Sequence, residues 1–280
     1  MTATPASIFA PGKVAVITGA GSGIGRAAAE RLSALGMKLA LFDRDEAALA
    51  SVAQKIGGGV RWMAGDVSRY EDLEGLRDLA YDAFGEIALM MNNAAIGGQG
   101  SDNWTGLDAW RRILEINLGG VINGVHAFTP ALLAQDAPAA IVNTGSKQGI
   151  TNPPGVPAYG VSKAAVKALT EQLAHGLREA GGGVTAHLLI PGWTHTAMTG
   201  SGEKPAGAWS ADQVVEAMID GVKAGDFYIL CPDNQVTPML DKARIRWGAE
   251  DLIENRPALS RWDPAWKDRF EAFIAREGQG

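Results

Sequence analysis

Residues 14–25 read VAVITGAGSGIG, and this stretch decides the fold. An apolar run comes first, glycines follow at once, and apolar residues then recur at helical spacing as far as Leu35. The pattern predicts a buried strand, a glycine-rich turn and a helix. Such a turn lets the backbone approach a pyrophosphate closely, and the free N–H groups at the start of the helix face its charge. We therefore expect a nucleotide to bind at this turn.

The same alternation of short apolar runs and helical patterns continues along the chain. Further strands are predicted at 39–42, 60–63, 87–91, 140–143, 184–190 and 227–231, and further helices at 45–56, 70–84, 107–134, 157–180 and 211–224. Short apolar strands without polar alternation are typical of a parallel sheet covered by helices on both faces. The sequence therefore predicts a doubly wound α/β fold with a parallel sheet of about seven strands.

Beyond Cys231 the alternation stops. The sequence predicts a helix over 237–256, and Asp263-Pro264, an N-cap followed by a first-turn proline, predicts the start of another. We expect residues 1–232 to form a nucleotide-binding catalytic domain and residues 233–280 to form a helical extension of that domain.

The extension carries an aromatic face made of Trp262, Trp266, Phe270 and Phe273. An exposed apolar patch of this size would be unusual on a monomer. We expect this face to cover a neighbouring subunit or the mouth of the substrate site. The alternative is that it packs on its own subunit, away from the site.

Composition limits the possible partners and the location. The 280 residues carry a formal net charge of −6, which argues against nucleic-acid binding because a basic face is needed there. A small-molecule partner is favoured instead. The single cysteine excludes an intrachain disulfide, the first residues do not resemble a signal peptide, and no apolar run reaches the roughly 18 residues that span a bilayer. We expect a cytoplasmic protein that does not enter a membrane.

An acidic residue ends the second predicted strand and bears on the choice of nucleotide. Asp43 lies 18 residues after Gly25, where a carboxylate can accept hydrogen bonds from the ribose hydroxyls of an adenosine. The alternative is that Asp43 caps the helix that begins near Glu46. The ribose interpretation predicts NAD rather than NADP, because a 2′-phosphate would meet the carboxylate. Arg44 leaves NADP possible, since a guanidinium can bind that phosphate.

The residue pattern for chemistry is Ser146, Tyr159 and Lys163. Tyr159 and Lys163 are four residues apart on a predicted helix and so share one face, a pair that by itself is usually solvated surface. Ser146 changes this, because it follows the strand at 140–143, and ligands of a doubly wound sheet bind where its strands end. The three residues predict a catalytic site.

Taken together, these motifs resemble the short-chain dehydrogenase/reductase family, with a Rossmann-like fold. The turn matches its Thr-Gly-x-x-x-Gly-x-Gly signature, and Ser146, Tyr159 and Lys163 match its Ser-x12-Tyr-x3-Lys pattern. Asn117 matches the fourth catalytic member. Gly65-Asp66-Val67 is similar to the segment that holds adenine in the family, and Asn92-Asn93-Ala94-Ala95 is similar to its Asn-Asn-Ala-Gly. The resemblance covers about residues 10–232 in the expected order.

The resemblance implies an NAD(P)-dependent alcohol dehydrogenase or ketoreductase. Tyr159 would be the general acid or base, Lys163 would favour the phenolate and bind the nicotinamide ribose, and Ser146 would donate a hydrogen bond to the substrate oxygen. Asn117 would hold a water that links Lys163 to solvent. Association through the helices at 107–134 and 157–180, as a dimer or tetramer, is also implied.

Pro191-Gly192-Trp193-Thr194-His195-Thr196 resembles the family's Pro-Gly-x-x-x-Thr element, which fixes the nicotinamide carboxamide. The family often has Val where Thr194 stands. The cofactor-binding residues expected are Thr18, Gly19, Gly21, Ser22, Gly23, Ile24, Gly25, Asp43, Arg44, Asp66, Val67, Asn93, Ala94, Ala95, Tyr159, Lys163, Pro191, Gly192, Thr194 and Thr196. The substrate contacts expected are Ile96, Ser146, Gln148, Tyr159 and Trp193.

The same fold also serves two other kinds of function. A nucleotide sensor or scaffold that lost turnover would be favoured by a broken tetrad, but all four members are present. The family's enoyl reductases have a longer Tyr-to-Lys spacing and its sugar epimerases have another glycine pattern, so neither matches. The four histidines have no metal-ligand spacing, and no metal is expected. We expect an uncharged secondary alcohol or ketone as substrate; the sequence does not determine the direction of the reaction.

Overall fold

A seven-stranded sheet forms the centre of the computed structural model, which describes residues 8–98, 104–200 and 202–277. The strands of the chain are β1 (Val14–Thr18), β2 (Lys38–Asp43), β3 (Val60–Ala64), β4 (Leu89–Asn92), β5 (Ala139–Thr144), β6 (Val184–Ile190), β7 (Thr194–His195), β8 (Trp209–Ser210) and β9 (Tyr228–Leu230). The large sheet has the order β3-β2-β1-β4-β5-β6-β9, and every neighbouring pair in it is parallel. The predicted sheet is confirmed.

Helices cover both faces of this sheet. They are α1 (Gly23–Ala34), α2 (Glu46–Ile56), α3 (Tyr70–Phe84), α4 (Leu107–Leu114), α5 (Gly120–Ala134), α6 (Gln148–Thr151), α7 (Pro157–Ala180), α8 (Ala211–Ala224), α9 (Pro238–Ile253) and α10 (Lys267–Glu277). Two short 3₁₀ turns, Ser260–Trp262 and Pro264–Trp266, precede α10. Residues 1–7 of the predicted catalytic domain and residues 278–280 of the predicted extension lie outside the described residues.

Alternation along β1 divides the core in two. Ala15 and Ile17 face one cluster, which contains the buried residues of α1 and α8, whereas Val14 and Val16 face the other, which contains those of α3 and α5. Burying an aliphatic side chain of this size stabilises the fold by about 1.5–3 kcal/mol. The apolar run therefore forms a central strand, since both of its faces are covered.

The strand order reverses at β1. The chain winds from β1 to β2 and β3 on one side, then crosses to β4 on the other side of β1. A crevice opens at the carboxyl ends of the strands at such a point, because the connections diverge there. The glycine turn of residues 19–23 lies at this crevice.

The predicted helix at 107–134 is interrupted. A π-helical turn, Glu115–Gly119, separates α4 from α5 and contains Asn117, whose side chain is fully buried. Single π-helical turns inside α-helices are frequent at functional sites. The prediction of one continuous α-helix was wrong in this respect.

The aromatic face of the extension packs within the extension. Trp247 of α9 lies 6.2 Å from Trp266, 5.2 Å from Phe270 and 5.2 Å from Phe273 between ring centroids. Trp266, Phe270 and Phe273 therefore pack on α9 of the same chain, as the alternative has it. A contact of this face with a neighbouring subunit stays a prediction. The Arg261 guanidinium lies 4.5 Å from the ring centroid of Trp262 and 5.5 Å from that of Phe270.

Within the described ranges, the helices are too short or too polar to cross a bilayer.

Candidate active site

A cavity of about 350 Å³ follows the carboxyl ends of the sheet strands. Of the residues expected to bind cofactor or substrate, it is lined by Gly19, Ser22, Gly23, Ile24, Asp43, Arg44, Asp66, Val67, Asn93, Ala94, Ala95, Ile96, Ser146, Tyr159, Lys163, Pro191, Gly192, Thr194 and Thr196. Thr18, Gly21, Gly25 and Asn117 lie behind its wall. The structure thus brings most of the expected residues to one crevice.

Close packing explains two glycines of the turn. A Cβ atom at Gly25 would lie 2.1 Å from the carbonyl oxygen of Gly19, and one at Gly19 would lie 2.8 Å from the Cα of Ala94. Gly19 also has a φ of +67°, which L side chains rarely adopt. The hydroxyl of Thr18 accepts hydrogen bonds from the amides of Asn93 and Ala94 at 3.0 and 3.2 Å. Thr18 therefore joins β1 to the segment after β4, and its hydroxyl is occupied by protein groups.

The first turn of α1 is suited to an anion. Ser22 occupies the N-cap position, but its side chain makes no capping hydrogen bond, and the turn contains no acidic residue. Ser22, Gly23 and Ile24 all line the cavity. Unpaired N–H groups and the positive end of the helix dipole bind phosphate groups well. These residues fit a pyrophosphate.

Asp43 faces the glycine turn. Its Oδ2 accepts a hydrogen bond from the amide of Gly21 at 2.8 Å, and its Oδ1 accepts one from the amide of Asp45 at 3.0 Å. The N-cap of α2 is Asp45, whose carboxylate accepts from the amide of Ala48. The alternative that Asp43 caps this helix is therefore wrong. The carboxylate is oriented at the cavity wall, next to Arg44.

Asp66 is held from two sides. Its Oδ2 accepts a hydrogen bond from Nη2 of Arg112 at 2.8 Å, and its Oδ1 accepts from the amide and hydroxyl of Ser68 at 2.9 and 2.7 Å. Burial alone would raise the pKa of Asp66, but these hydrogen bonds outweigh it and hold the pKa at about 2. Sequence reasoning missed Arg112, because nothing in the spacing of α4 connects it with a residue 46 positions earlier.

Lys163 is buried beside Tyr159. Its ammonium donates a hydrogen bond to the carbonyl oxygen of Thr144 at 2.7 Å and lies 5.8 Å from the centroid of the Tyr159 ring. Burial lowers the pKa of Lys163 to about 8. Burial also raises the pKa of Tyr159, and the hydrogen bond from Ser146 opposes this rise only in part. Desolvation therefore outweighs the Ser146 hydrogen bond, and the expectation that Lys163 favours the phenolate stays a prediction.

Ser146 is oriented by its own loop. Its Oγ accepts a hydrogen bond from the amide of Gln148 at 3.1 Å, and its hydroxyl proton is directed to the Tyr159 phenol. Gly145 anchors the loop by donating its amide to the carbonyl oxygen of Leu189 on β6 at 2.7 Å. Ser146 therefore stands at the end of β5 with its donor directed by the backbone.

The side chain of Asn117 has other partners than expected. Its amide pairs with the backbone of Ile96, accepting at 2.8 Å and donating at 3.0 Å, and also donates to the hydroxyl of Ser162 at 3.2 Å. The Ser162 hydroxyl donates to the carbonyl oxygen of Tyr159 at 2.7 Å. Asn117 therefore joins the segment after β4 to the first turns of α7. Its expected role of holding a water stays a prediction.

A second cavity, of about 460 Å³, adjoins the first. Ser146, Tyr159 and Gly192 line both cavities, and the expected substrate residues Gln148 and Trp193 line the second. Thr194 is buried and donates its hydroxyl to the carbonyl oxygen of Gly192 at 3.2 Å. A threonine is therefore accommodated at this position by a local hydrogen bond.

Lys147, Met198 and Thr199 of the second cavity fall within the segments 147–156 and 193–209 that the sequence predicts as substrate walls, whereas Asp233 was missed. Among the residues that the structure describes, no three His, Cys, Asp or Glu side chains are grouped so that they could hold a metal ion. His187 is bonded to Thr185 and to the carbonyl oxygen of Asp226 within the fold.

Comparison with known proteins gives a consistent result. A family model described as short chain dehydrogenase matches residues 13–206. The chain is 34% identical over 187 residues to the CLA biosynthesis dehydrogenase/reductase of Lactiplantibacillus plantarum, covering 66% of this chain and 65% of that protein. The chain thus spans slightly less than two thirds of that relative.

Solved structures agree over more of the chain. A short chain dehydrogenase/reductase from Burkholderia phymatum in complex with NAD is 36% identical, with a TM-score of 0.80, and the match covers 88% of this chain and 96% of that one. An alcohol dehydrogenase from Thermococcus sibiricus, complexed with 5-hydroxy-NADP, is 27% identical, with a TM-score of 0.72 and coverage of 81% and 98%.

Proposed function

Because this chain belongs to the short chain dehydrogenase family, we propose that it transfers a hydride between NAD and a secondary alcohol or ketone, with Tyr159 as general acid and base. The observation that carries the proposal is the position of Tyr159 and Ser146 in the wall shared by both cavities. One cavity fits the nucleotide and the other receives the substrate, so both reactants reach the same phenol.

The chain's own residues move the proton. When bound, the nicotinamide gives or takes the hydride. In ketone reduction, Tyr159 donates its proton to the substrate oxygen, and burial keeps the phenol protonated before the reaction because its pKa is raised. In alcohol oxidation the phenolate is the base. Ser146 donates to the same substrate oxygen, where charge develops.

Lys163 stabilises the phenolate that forms. With a pKa of about 8 it is cationic at neutral pH. A buried positive charge close to the Tyr159 ring favours the ionised phenol and so eases the return of the proton. One of its three donors is held by Thr144, which fixes the ammonium in place and leaves two donors for a ribose hydroxyl.

We further propose a preference for NAD over NADP, supported by the orientation of Asp43. The structural relatives include both an NAD complex and an NADP-type complex, so the family alone does not determine the choice. A carboxylate and a phosphate at 4 Å repel each other by about 1 kcal/mol in water and by more near a protein surface.

Asp43→Asn tests this preference. The ratio of kcat/KM with NAD to kcat/KM with NADP should fall by at least about fivefold, because about 1 kcal/mol of repulsion is removed. Asp82→Asn on α3 is the matched control, since this exposed carboxylate lies outside the cavity lining and the ratio should stay within about twofold. Comparable kcat/KM for both cofactors in the wild type would contradict the proposal.

The reaction itself is tested with a panel of uncharged secondary alcohols and ketones, followed by nicotinamide absorbance with each cofactor. Turnover by the wild type that Tyr159→Phe removes is expected. Tight NADH binding without turnover across the panel would favour the sensor or scaffold alternative. Failure to bind any nicotinamide nucleotide would contradict both.

We also propose a homo-oligomer that associates through α4, α5 and α7. Leu107 on α4 is 58% exposed and Val161 on α7 is 47% exposed, which is high for apolar side chains on packed helices. Light scattering after size exclusion should give a dimer or tetramer, and Val161→Glu should weaken it. A wild-type monomer at micromolar concentration would contradict the proposal. The cytoplasmic location stays a prediction.

A further inference from the structure

A buried ion cluster lies directly beside Ser146. The ammonium of Lys147 is 2.6 Å from Oδ2 of Asp241 and 3.3 Å from Oδ2 of Asp233. The exposed side-chain fractions are 14% for Lys147, 7% for Asp233 and 3% for Asp241. The Lys147 ammonium therefore bridges two carboxylates almost out of contact with water, and the Arg244 and Arg261 guanidinium groups lie near enough to act on Asp241 electrostatically.

The three members come from three separate parts of the chain. Lys147 follows β5, Asp233 follows β9, and Asp241 lies in the first turn of α9. The cluster is thus a link between the catalytic loop, the edge of the sheet and the helical extension.

The cluster also touches the turn expected to hold the nicotinamide. Lys147 donates its amide to the carbonyl oxygen of Pro191 at 3.1 Å, and Asp233 Oδ2 accepts from the amide of Trp193 at 3.4 Å. A Cβ atom at Gly192 would lie 2.7 Å from Asp233 Oδ2 and 3.0 Å from Lys147 Cε. A larger residue at Gly192 would therefore push directly on the Asp233 and Lys147 side chains.

Stability alone does not explain such a cluster. Replacing a buried ion pair by packed apolar groups is often neutral or stabilising, because desolvation offsets the attraction. Burial raises the pKa of Asp241 and the Asp233 charge adds to the rise, although Lys147 opposes it. A buried ion cluster does, however, fix the relative position of the groups that it joins.

We propose that Lys147 is a positioning residue that, through Asp233 and Asp241, holds Ser146 and the Pro191–Trp193 turn in register and ties α9 to the substrate side of the site. The proposal rests on the proposed function for its kinetic test. It gives the extension a role in catalysis, since α9 then supports the wall of the second cavity from behind.

Lys147→Met removes the ammonium and keeps the length of the side chain. We expect kcat to fall by about tenfold to a hundredfold, because small displacements of reacting groups cost this much. The Kd for NADH, measured by fluorescence, should rise by much less than kcat falls, because the Pro191–Trp193 turn is expected to contact only the nicotinamide end of the cofactor. Lys147→Arg should restore part of kcat. The matched control is Lys13→Met, which breaks the 2.6 Å ion pair with Glu86 far from the cavities and should leave kcat unchanged.

A second variant avoids the loss of folding that two unpaired buried carboxylates could cause. Lys147→Met combined with Asp233→Asn and Asp241→Asn removes all three charges, and it should fold yet keep the lowered kcat. Wild-type kcat in this triple variant would overturn the proposal, as would an equal loss of kcat and NADH affinity in Lys147→Met.

Hydrogen exchange separates this proposal from the proposed function, because it needs no substrate. Removing the Lys147 ammonium should raise amide exchange together in residues 145–151 and in α9, while the exchange of α1 stays unchanged. Raised exchange in both segments, without any turnover by the wild type, would contradict the proposed function but support the structural link between the Ser146 loop and α9. Unchanged exchange in either segment would overturn the link itself.

Discussion

Replacing Tyr159 by phenylalanine tests the assigned chemistry most directly. The substitution deletes one hydroxyl and keeps the ring, whose centroid lies 5.8 Å from the Lys163 ammonium. Ser146 loses its partner on the phenol but keeps the hydrogen bond from the amide of Gln148. The lost hydrogen bond costs about 0.5–1.5 kcal/mol of unfolding free energy, so the variant should fold and bind NADH as the wild type does.

Catalysis should change far more than stability. A positioned general acid or base contributes about 10²–10⁴ in rate, which equals roughly 3–5 kcal/mol at about 1.36 kcal/mol per decade. Loss of one ground-state hydrogen bond to the substrate would cost only about 0.5–1.5 kcal/mol. General acid–base catalysis and simple substrate binding by Tyr159 therefore predict rate losses of clearly different size.

The assay is the initial rate of nicotinamide absorbance change, with an alcohol or ketone that the wild type converts. NADH titration by fluorescence and unfolding by denaturant serve as controls for binding and folding. Loss of a general acid or base should lower kcat/KM by at least about a hundredfold. If Tyr159→Phe lowered kcat/KM by less than about tenfold, the mechanism would be wrong.

Three further outcomes are expected. Gly25→Ala should weaken NADH binding by about a hundredfold or more or unfold the turn, because its Cβ would lie 2.1 Å from the Gly19 carbonyl oxygen. The control Gly248→Ala has open space around its Cβ, so it should bind NADH normally and gain about 0.5–1 kcal/mol of stability. Asp66, with a pKa of about 2, stabilises the fold when ionised, so the stability advantage of the wild type over Asp66→Asn in denaturant titrations should narrow as the pH falls below about 4. A constant difference would contradict this. Burial raises the pKa of the Cys231 thiol to about 12, so a disulfide reagent should modify it only after unfolding, and rapid labelling of the native protein would disagree with the structure.

Local patterns were sufficient to predict the elements that position the site. The strand, turn and helix of residues 14–34 follow from apolar spacing and glycines that are adjacent in the chain. Ser146, Tyr159 and Lys163 were predicted because strand ends and helix faces convert spacing into proximity. The sequence therefore predicts the place of a site residue when its position along a strand or helix determines which face or end it occupies.

The interactions that sequence reasoning missed join residues far apart in the chain. Lys147 pairs with Asp241 across 94 positions, and both are ordinary charged residues in their own segments. Trp247 was not included in the aromatic face, because that face was found by its spacing over residues 262–273 and Trp247 lies on α9, an earlier helix. Such pairs depend on how distant segments pack, which no local period encodes.

The uncapped start of α1 links the folding of the protein to its nucleotide. A helix without a side-chain cap gives up about 1 kcal/mol that a capping bond would supply. A pyrophosphate that binds these amides would supply the missing hydrogen bonds, so that ligand binding also stabilises the helix. At a hundred times its dissociation constant, such a ligand adds about 2.7 kcal/mol to the unfolding free energy. The melting temperature of this protein should therefore rise and fall with the nicotinamide nucleotide pool around it.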